Sequence, residues 1–189
     1  QTDDTPIMSH TLMNRGILPN KVKGKPFFLL VLDNLRFDQW KTIQKEISNY
    51  YRTTKEDLYL SILPTTTQYA RNSIFSGLMP LDIEKRFPDK WSNDEDEGGK
   101  NNFEEFFLND LFNRLRTGYE SKYIKVTNLN NAKAMVDQLP NLAKEEFVTI
   151  VYNDSLCDEY SNIAWTMECN KPSITSNPAI SFSSTTCAL

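Results

Sequence analysis

The sequence predicts an α/β fold, a mostly parallel sheet flanked by helices, with an irregular C-terminal tail. Three observations lead there. "PFFLLVL" (26–32) is an unbroken apolar run of strand length, the pattern of a strand buried on both faces. Strand-like and helix-periodic segments then alternate four times up to residue 153, which calls for parallel strands joined by right-handed crossovers. Beyond residue 153 the text changes: 154–189 holds all three cysteines (Cys157, Cys169, Cys187) and eleven Ser or Thr, and has little periodicity.

Residues 1–25 read as a polar lead-in arm or linker, with Gly16, Pro19, Gly24 and the basic patch "NKVKGK". The first strand follows at 26–32. Trp40, Ile43, Ile47 and Tyr51 recur at helical spacing, and "LYLSIL" (58–63) reads as the second strand. Residues 67–76 form a short helix. "DKWSNDEDEGGKNN" (89–102) is a polar, acidic loop, either a solvated run or a flap over a site. Asn102 and Glu105 have capping-box spacing. Phe103, Phe106, Phe107, Leu111 and Leu115 mark one core-facing helical face, ended by Gly118. "KYIKV" (122–126) is the third strand, Ala132, Met135, Val136 and Leu139 mark a helix before Pro140, and "EFVTIVY" (146–152) is the fourth strand. The expected division is a linker at 1–25, a domain at 26–153 and a tail at 154–189.

Composition narrows the function classes. With 39% apolar and 24% charged residues, the 189-residue chain has the make-up of a globular domain. A net charge of -4 gives no overall pull toward nucleic acid or anionic lipid. No apolar run approaches the roughly 18 residues of a membrane helix. "QTDDTPIMSH" does not read as a secretory signal, so a cytoplasmic location is expected. The cysteines lack disulfide-framework or zinc-ribbon spacing. The lone histidine, His10, reads as a surface residue of the arm.

In parallel sheets, ligands gather beyond the carboxyl ends of the strands. Two stretches fall there: "DNLRFDQW" (33–40) after the first strand, and Thr65, Thr66 and Thr67 after the second. Asp33 follows only apolar residues, so its carboxylate is either a helix cap or a ligand of a cation. Each threonine is either a cap or a nucleophile, and a threonine hydroxyl is weak until its pKa is lowered. A divalent metal does that best, and a helix N-terminus offers N–H groups to a phosphate. Arg71, about one turn on, adds a positive charge. Asp33 and Thr67 are thus candidate joint ligands of one metal.

Together, "FFLLVLDNLRFDQW" and "LPTTTQYARNSIFSGLMP" resemble the PglZ domain of the alkaline phosphatase superfamily, and within it the output domain of PorX-type response regulators. "MSHTLMNRGILPNKVKGKPFF" resembles the segment leading into that domain. The resemblance covers roughly residues 7–153. It implies an alkaline phosphatase-like core, with Asp33 and Thr67 as metal ligands and Thr67 as the catalytic nucleophile. Thr67 is the matching threonine because the nucleophile of related phosphodiesterases stands ten residues before the glycine of a "TG" or "SG" pair, here Gly77. Those relatives carry Asn three residues after the nucleophile. Here that position is Ala70, so the phosphate-binding role passes to Arg71, Asn72 or another group.

The implied activity is zinc-dependent hydrolysis of phosphomonoesters or phosphodiesters, with nucleotide or oligonucleotide phosphodiesters favoured. The implied setting is two-component signalling linked to type IX secretion, with signalling-protein partners and an open question of dimerisation. The sequence departs from the family pattern in two ways. No acidic phosphoacceptor unit precedes residue 26. The Asp and His ligands expected within about ten residues of Asn153 are replaced by "DSLCDEYSNIAW", where Asp154 and Asp158 are weak stand-ins for one carboxylate. The expectation is therefore a truncated domain whose tail is unrelated to the family. The alternative to an active enzyme is a catalytically inactive fragment or interaction module that keeps the first half of the fold.

Overall fold

The apolar run at 26–32 lies inside a sheet. A computed structural model of the chain describes residues 5–33, 35, 37–92, 102–152, 162–168 and 181–188. The chain divides into two compact units, one built from Gln1–Asn20 and Tyr59–Glu120, the other from Lys21–Leu58 and Ser121–Cys187, with the last two residues grouped with the first.

The second unit is the sheet unit. Strand β1 (Phe27–Asp33) pairs in parallel with β4 (Phe147–Tyr152), Leu29 opposite Thr149, and β4 pairs in parallel with β3 (Ser121–Val126). Phe27, Phe28, Leu29 and Val31 are all buried, each contributing on the order of 1.5–3 kcal/mol. Their near-continuous apolar character follows from having layers on both faces. Helix α6 (Leu129–Leu142) covers one face, packing Ala132 and Met135 against Phe28, Val126, Val148 and Ile150. The Asn128 side chain caps it, accepting from the Asn131 N–H at 2.9 Å. Helix α2 (Phe37–Ile47) buries Trp40 with Leu35, against Leu30 and Leu32.

Three expectations change in this unit. The tail expected to be irregular contributes two strands, β5 (Asn162–Glu168) and β6 (Ser181–Ala188). β5 runs antiparallel to the free edge of β1, and β6 antiparallel to β5, because an interior strand needs partners for its backbone groups on both sides. The second strand, β2, spans Arg52–Leu60 instead of 58–63. It lies at the sheet edge, in the order β2-β6-β5-β1-β4-β3. Charged residues are tolerated there because an edge strand meets solvent, which is why apolar content alone missed them. Helix α6 runs through Pro140, since losing one hydrogen bond is cheapest near a helix end.

The first unit is helical. Its α-helices are α1 (Ser9–Thr11), α3 (Thr67–Ser76), α4 (Pro80–Arg86) and α5 (Glu104–Arg114). The expected lead-in arm is part of this core. A π-helical turn at Leu12–Ile17 buries Leu12, Met13 and Ile17 completely or nearly so. The Leu60 N–H donates to the Ile7 carbonyl at 2.8 Å, and the Ile62 N–H to the buried Ser9 hydroxyl at 3.2 Å. The few apolar residues of the arm had been outweighed by its polar text, yet their spacing puts them on one side.

Helix α5 buries Glu104, Phe107, Leu108, Leu111 and Phe112. Phe106 and Leu115, expected on that face, are exposed. The Asn102–Glu105 capping box is not formed: the N-cap is Phe103, and no side chain caps it. Most of the acidic run at 93–97 and its neighbours lies outside the described residues. Among the described residues, no helix is long and apolar enough to cross a membrane.

Candidate functional site

Helix α3 opens on the threonine run. Thr66 is its N-cap, in extended backbone geometry, and makes no side-chain cap hydrogen bond. Its carbonyl accepts from the N–H groups of Tyr69 (3.1 Å) and Ala70 (2.9 Å). Thr67 is therefore the first helical residue and not the cap. Capping, the plainest alternative role for the run, is not carried by the Thr66 side chain.

The helix that follows is buried almost all round although its sequence is polar. Gln68, Arg71, Asn72, Ser73 and Ser76 are buried alongside Ala70, Ile74 and Phe75. Burying polar groups costs free energy unless they are bonded, so such a helix is held for more than packing.

Arg71 and Asn72 were expected to bind phosphate. Both are turned into the interior. The Arg71 side chain is 0% exposed, and its Nη2 lies 2.7 Å from Glu104 Oε1 and donates to Oε2 at 3.0 Å, with Glu104 also 0% exposed. In this structure the Arg71 guanidinium is committed to a buried carboxylate. Glu104 is the residue that sequence reading missed. It occupies the first turn of α5, where the helix dipole favours a carboxylate. The signal was present: 104, 107, 108 and 111 fall at the spacing of a single helical face, so a charge at 104 sits in line with the apolar residues.

At the far end of α3, the Arg114 guanidinium donates to the Ser76 carbonyl and is itself held by Asp110 Oδ2 at 2.6 Å. Gly77 ends the helix in the left-handed conformation, φ 63°. Beside the threonine run, a cavity of about 430 Å³ is lined by Met8, Leu60, Ile62, Leu63, Thr65 and Met79. His10, expected at the surface, is half-buried, with its Nδ1 buried and unbonded among the described residues. Burial lowers its pKa, partly offset by the Asp82 carboxylate.

Asp33 is the last residue of β1 and half-buried, at the carboxyl end of the parallel core where the sequence placed it. It belongs to the sheet unit and Thr67 to the helical unit, each held by its own unit's contacts. Thr67, Arg71 and Asn72 share α3. Among the described residues, no three His, Cys, Asp or Glu side chains gather as a metal-binding group. Asp33 alone is not a donor set for zinc, so the described residues do not fit the full metal site of an alkaline phosphatase. The stretch after Asn153, where further donors were expected, lies outside them.

A three-stranded parallel core flanked by helices is consistent with an alkaline phosphatase-like α/β domain. The chain belongs to the PglZ family: the model described as "BREX system PglZ alkaline phosphatase-like domain" matches residues 12–170. The match starts within the former arm and runs past residue 153. No curated protein matches the chain. Membership brings a phosphoesterase-type function, in a family that is generally metal-dependent.

Proposed function

We propose that this chain is the phosphodiesterase or phosphatase-type output domain of a PorX-like, cytoplasmic two-component regulator acting in type IX secretion signalling. Nucleotide or oligonucleotide phosphodiesters are its substrate class, and signalling proteins, including a second copy of the domain, are its partners. The single observation that carries the reading is the position of Thr67, first residue of a buried polar helix, preceded by a cap residue whose side chain does no capping. Thr67 is the acceptor: its hydroxyl oxygen bonds to phosphorus as one ester P–O bond breaks, the alcohol leaves with the hydroxyl proton, and water then releases the remaining phosphomonoester (free phosphate from a monoester substrate) and restores the hydroxyl. The N-terminus of α3 offers backbone N–H groups and the positive end of its dipole to the phosphate, and Arg71 and Asn72 of the same helix are its candidate phosphate-binding side chains. Asp33 is the candidate ligand, within the sheet unit, of the divalent metal that family resemblance implies, zinc.

The sequence "DSLCDEYSNIAW" (154–165), which carries no histidine where family resemblance calls for one, favours a second reading, a catalytically inactive module that keeps the fold. One experiment separates them. Purified chain is dialysed, its metal content is measured by mass spectrometry, and hydrolysis of bis(4-nitrophenyl) phosphate is followed with and without added zinc. Retained zinc with turnover abolished by Thr67→Val supports the enzyme. Neither metal nor turnover supports the inactive module.

A further inference from the structure

We propose that Arg71, through its buried pairing with Glu104, is a positioning residue that sets the rotation and height of α3 and hence the placement of Thr67 at its start. The proposal rests on the reading of Thr67 given above. Both side chains are 0% exposed, and one guanidinium nitrogen meets both carboxylate oxygens at 2.7 and 3.0 Å. Cohesion alone does not explain such a pair, because desolvating two charges offsets most of their attraction and an apolar pair of similar volume holds a core as well or better. What a charged, hydrogen-bonded pair adds is direction: a carboxylate and a guanidinium meet in few orientations, whereas apolar side chains slide.

The geometry makes that direction useful. Arg71 lies one helical turn from Thr67, so a rotation of α3 about its axis turns both together. Glu104 is rooted in α5, whose Phe107, Leu108, Leu111 and Phe112 are buried. The other end of α5 grips the other end of α3, through Arg114 on the Ser76 carbonyl. With the C-terminal end of α3 held there, the Arg71–Glu104 pair is a second directional tie between the two helices, nearer the start of α3.

The test compares the full chain with Arg71→Lys and with the apolar pair Arg71→Met/Glu104→Leu. The readouts are the melting temperature and amide hydrogen exchange at Tyr69 and Ala70, whose N–H groups close the first turn on Thr66. The double variant is expected to melt at or above the parent, while exchange at these two amides quickens roughly tenfold or more. Arg71→Lys, a compact ammonium on a flexible stem in place of a planar guanidinium, is expected to quicken the same amides while the chain stays folded. Unchanged exchange at Tyr69 and Ala70 in whichever variant folds overturns the proposal and leaves the pair a cohesive contact. Where the parent hydrolyses bis(4-nitrophenyl) phosphate, kcat of either variant is expected to fall about 100-fold with KM nearly unchanged; full turnover by the double variant also overturns it. A parent without turnover counts against the hydrolase reading alone, since the exchange readout does not need activity.

Discussion

Gly77 and Leu111 meet so closely that a Cβ placed on Gly77 would lie 2.8 Å from Leu111 Cδ1. Leu111 is buried, so moving its Cδ1 aside means repacking its neighbours, and Gly77 also holds a φ of 63° that disfavours side chains. Gly77→Ala is therefore expected to cost about 2–4 kcal/mol, the sum of left-handed strain and overpacking. Urea denaturation measures it. A cost under about 0.5 kcal/mol, the size of an ordinary surface change, would mean that α5 yields easily and the contact with α3 is loose.

The threonines separate by role. Thr66→Ala is expected to cost well under the roughly 1 kcal/mol of a lost cap, because its side chain makes no cap hydrogen bond. Thr67→Val is close in shape and is expected to leave the melting temperature within a few degrees (roughly 1 kcal/mol or less) while removing any phosphodiesterase turnover. A large stability loss for Thr67→Val with unchanged turnover would make Thr67 a structural residue.

Ser121 and Thr149 share a buried hydrogen bond, hydroxyl to hydroxyl, of 2.8 Å in the sheet unit. Thr149→Val leaves the Ser121 hydroxyl without that partner and is expected to destabilise by about 1–3 kcal/mol. Adding Ser121→Ala removes the stranded group and is expected to restore part of the loss. Additive effects in this double-mutant cycle would show that the hydroxyls do not depend on each other.

His10 predicts a pH effect. Its folded pKa lies below the ordinary value near 6.5, so the unfolded chain takes up the proton first. The contribution of His10 is present above that pH and is lost as pH falls toward the lowered folded pKa. Denaturation midpoints are expected to decline as pH drops through about 6.5, and His10→Asn is expected to flatten that part of the profile. An identical decline in the variant would assign it to other groups.

Much of the fold is legible because it rests on local chemistry. β1, β3 and β4 follow from short apolar or alternating runs, and α3 ends at Gly77, where the sequence placed a stop. The misreadings have a common cause. β2 reaches back to Arg52 through charged residues because an edge strand has a wet side, and the tail strand β5 exists where β1 needs a second neighbour. Neither requirement is written in the strand's own residues. The site divides the same way. Asp33 and Thr67 were visible as polar residues at the ends of β1 and the start of α3. Glu104 was half visible: its spacing sets it in line with the apolar residues of α5, but its partner is known only when the neighbour across the core is known.

By itself, the sequence determined the alternation of strands and helices, the polar residues at the ends of strands, and the glycine stop at residue 77. These depend on side-chain shape, periodicity and backbone freedom within a few residues. Only the tertiary structure decided that the N-terminal residues are core, that Thr66 and not Thr67 occupies the cap position, and that Arg71 pairs with Glu104. Burial is the reason. A charge on a helix has the same local propensity whether it meets water, a phosphate or a carboxylate 33 residues away, and the partner is settled only when α3 and α5 pack together.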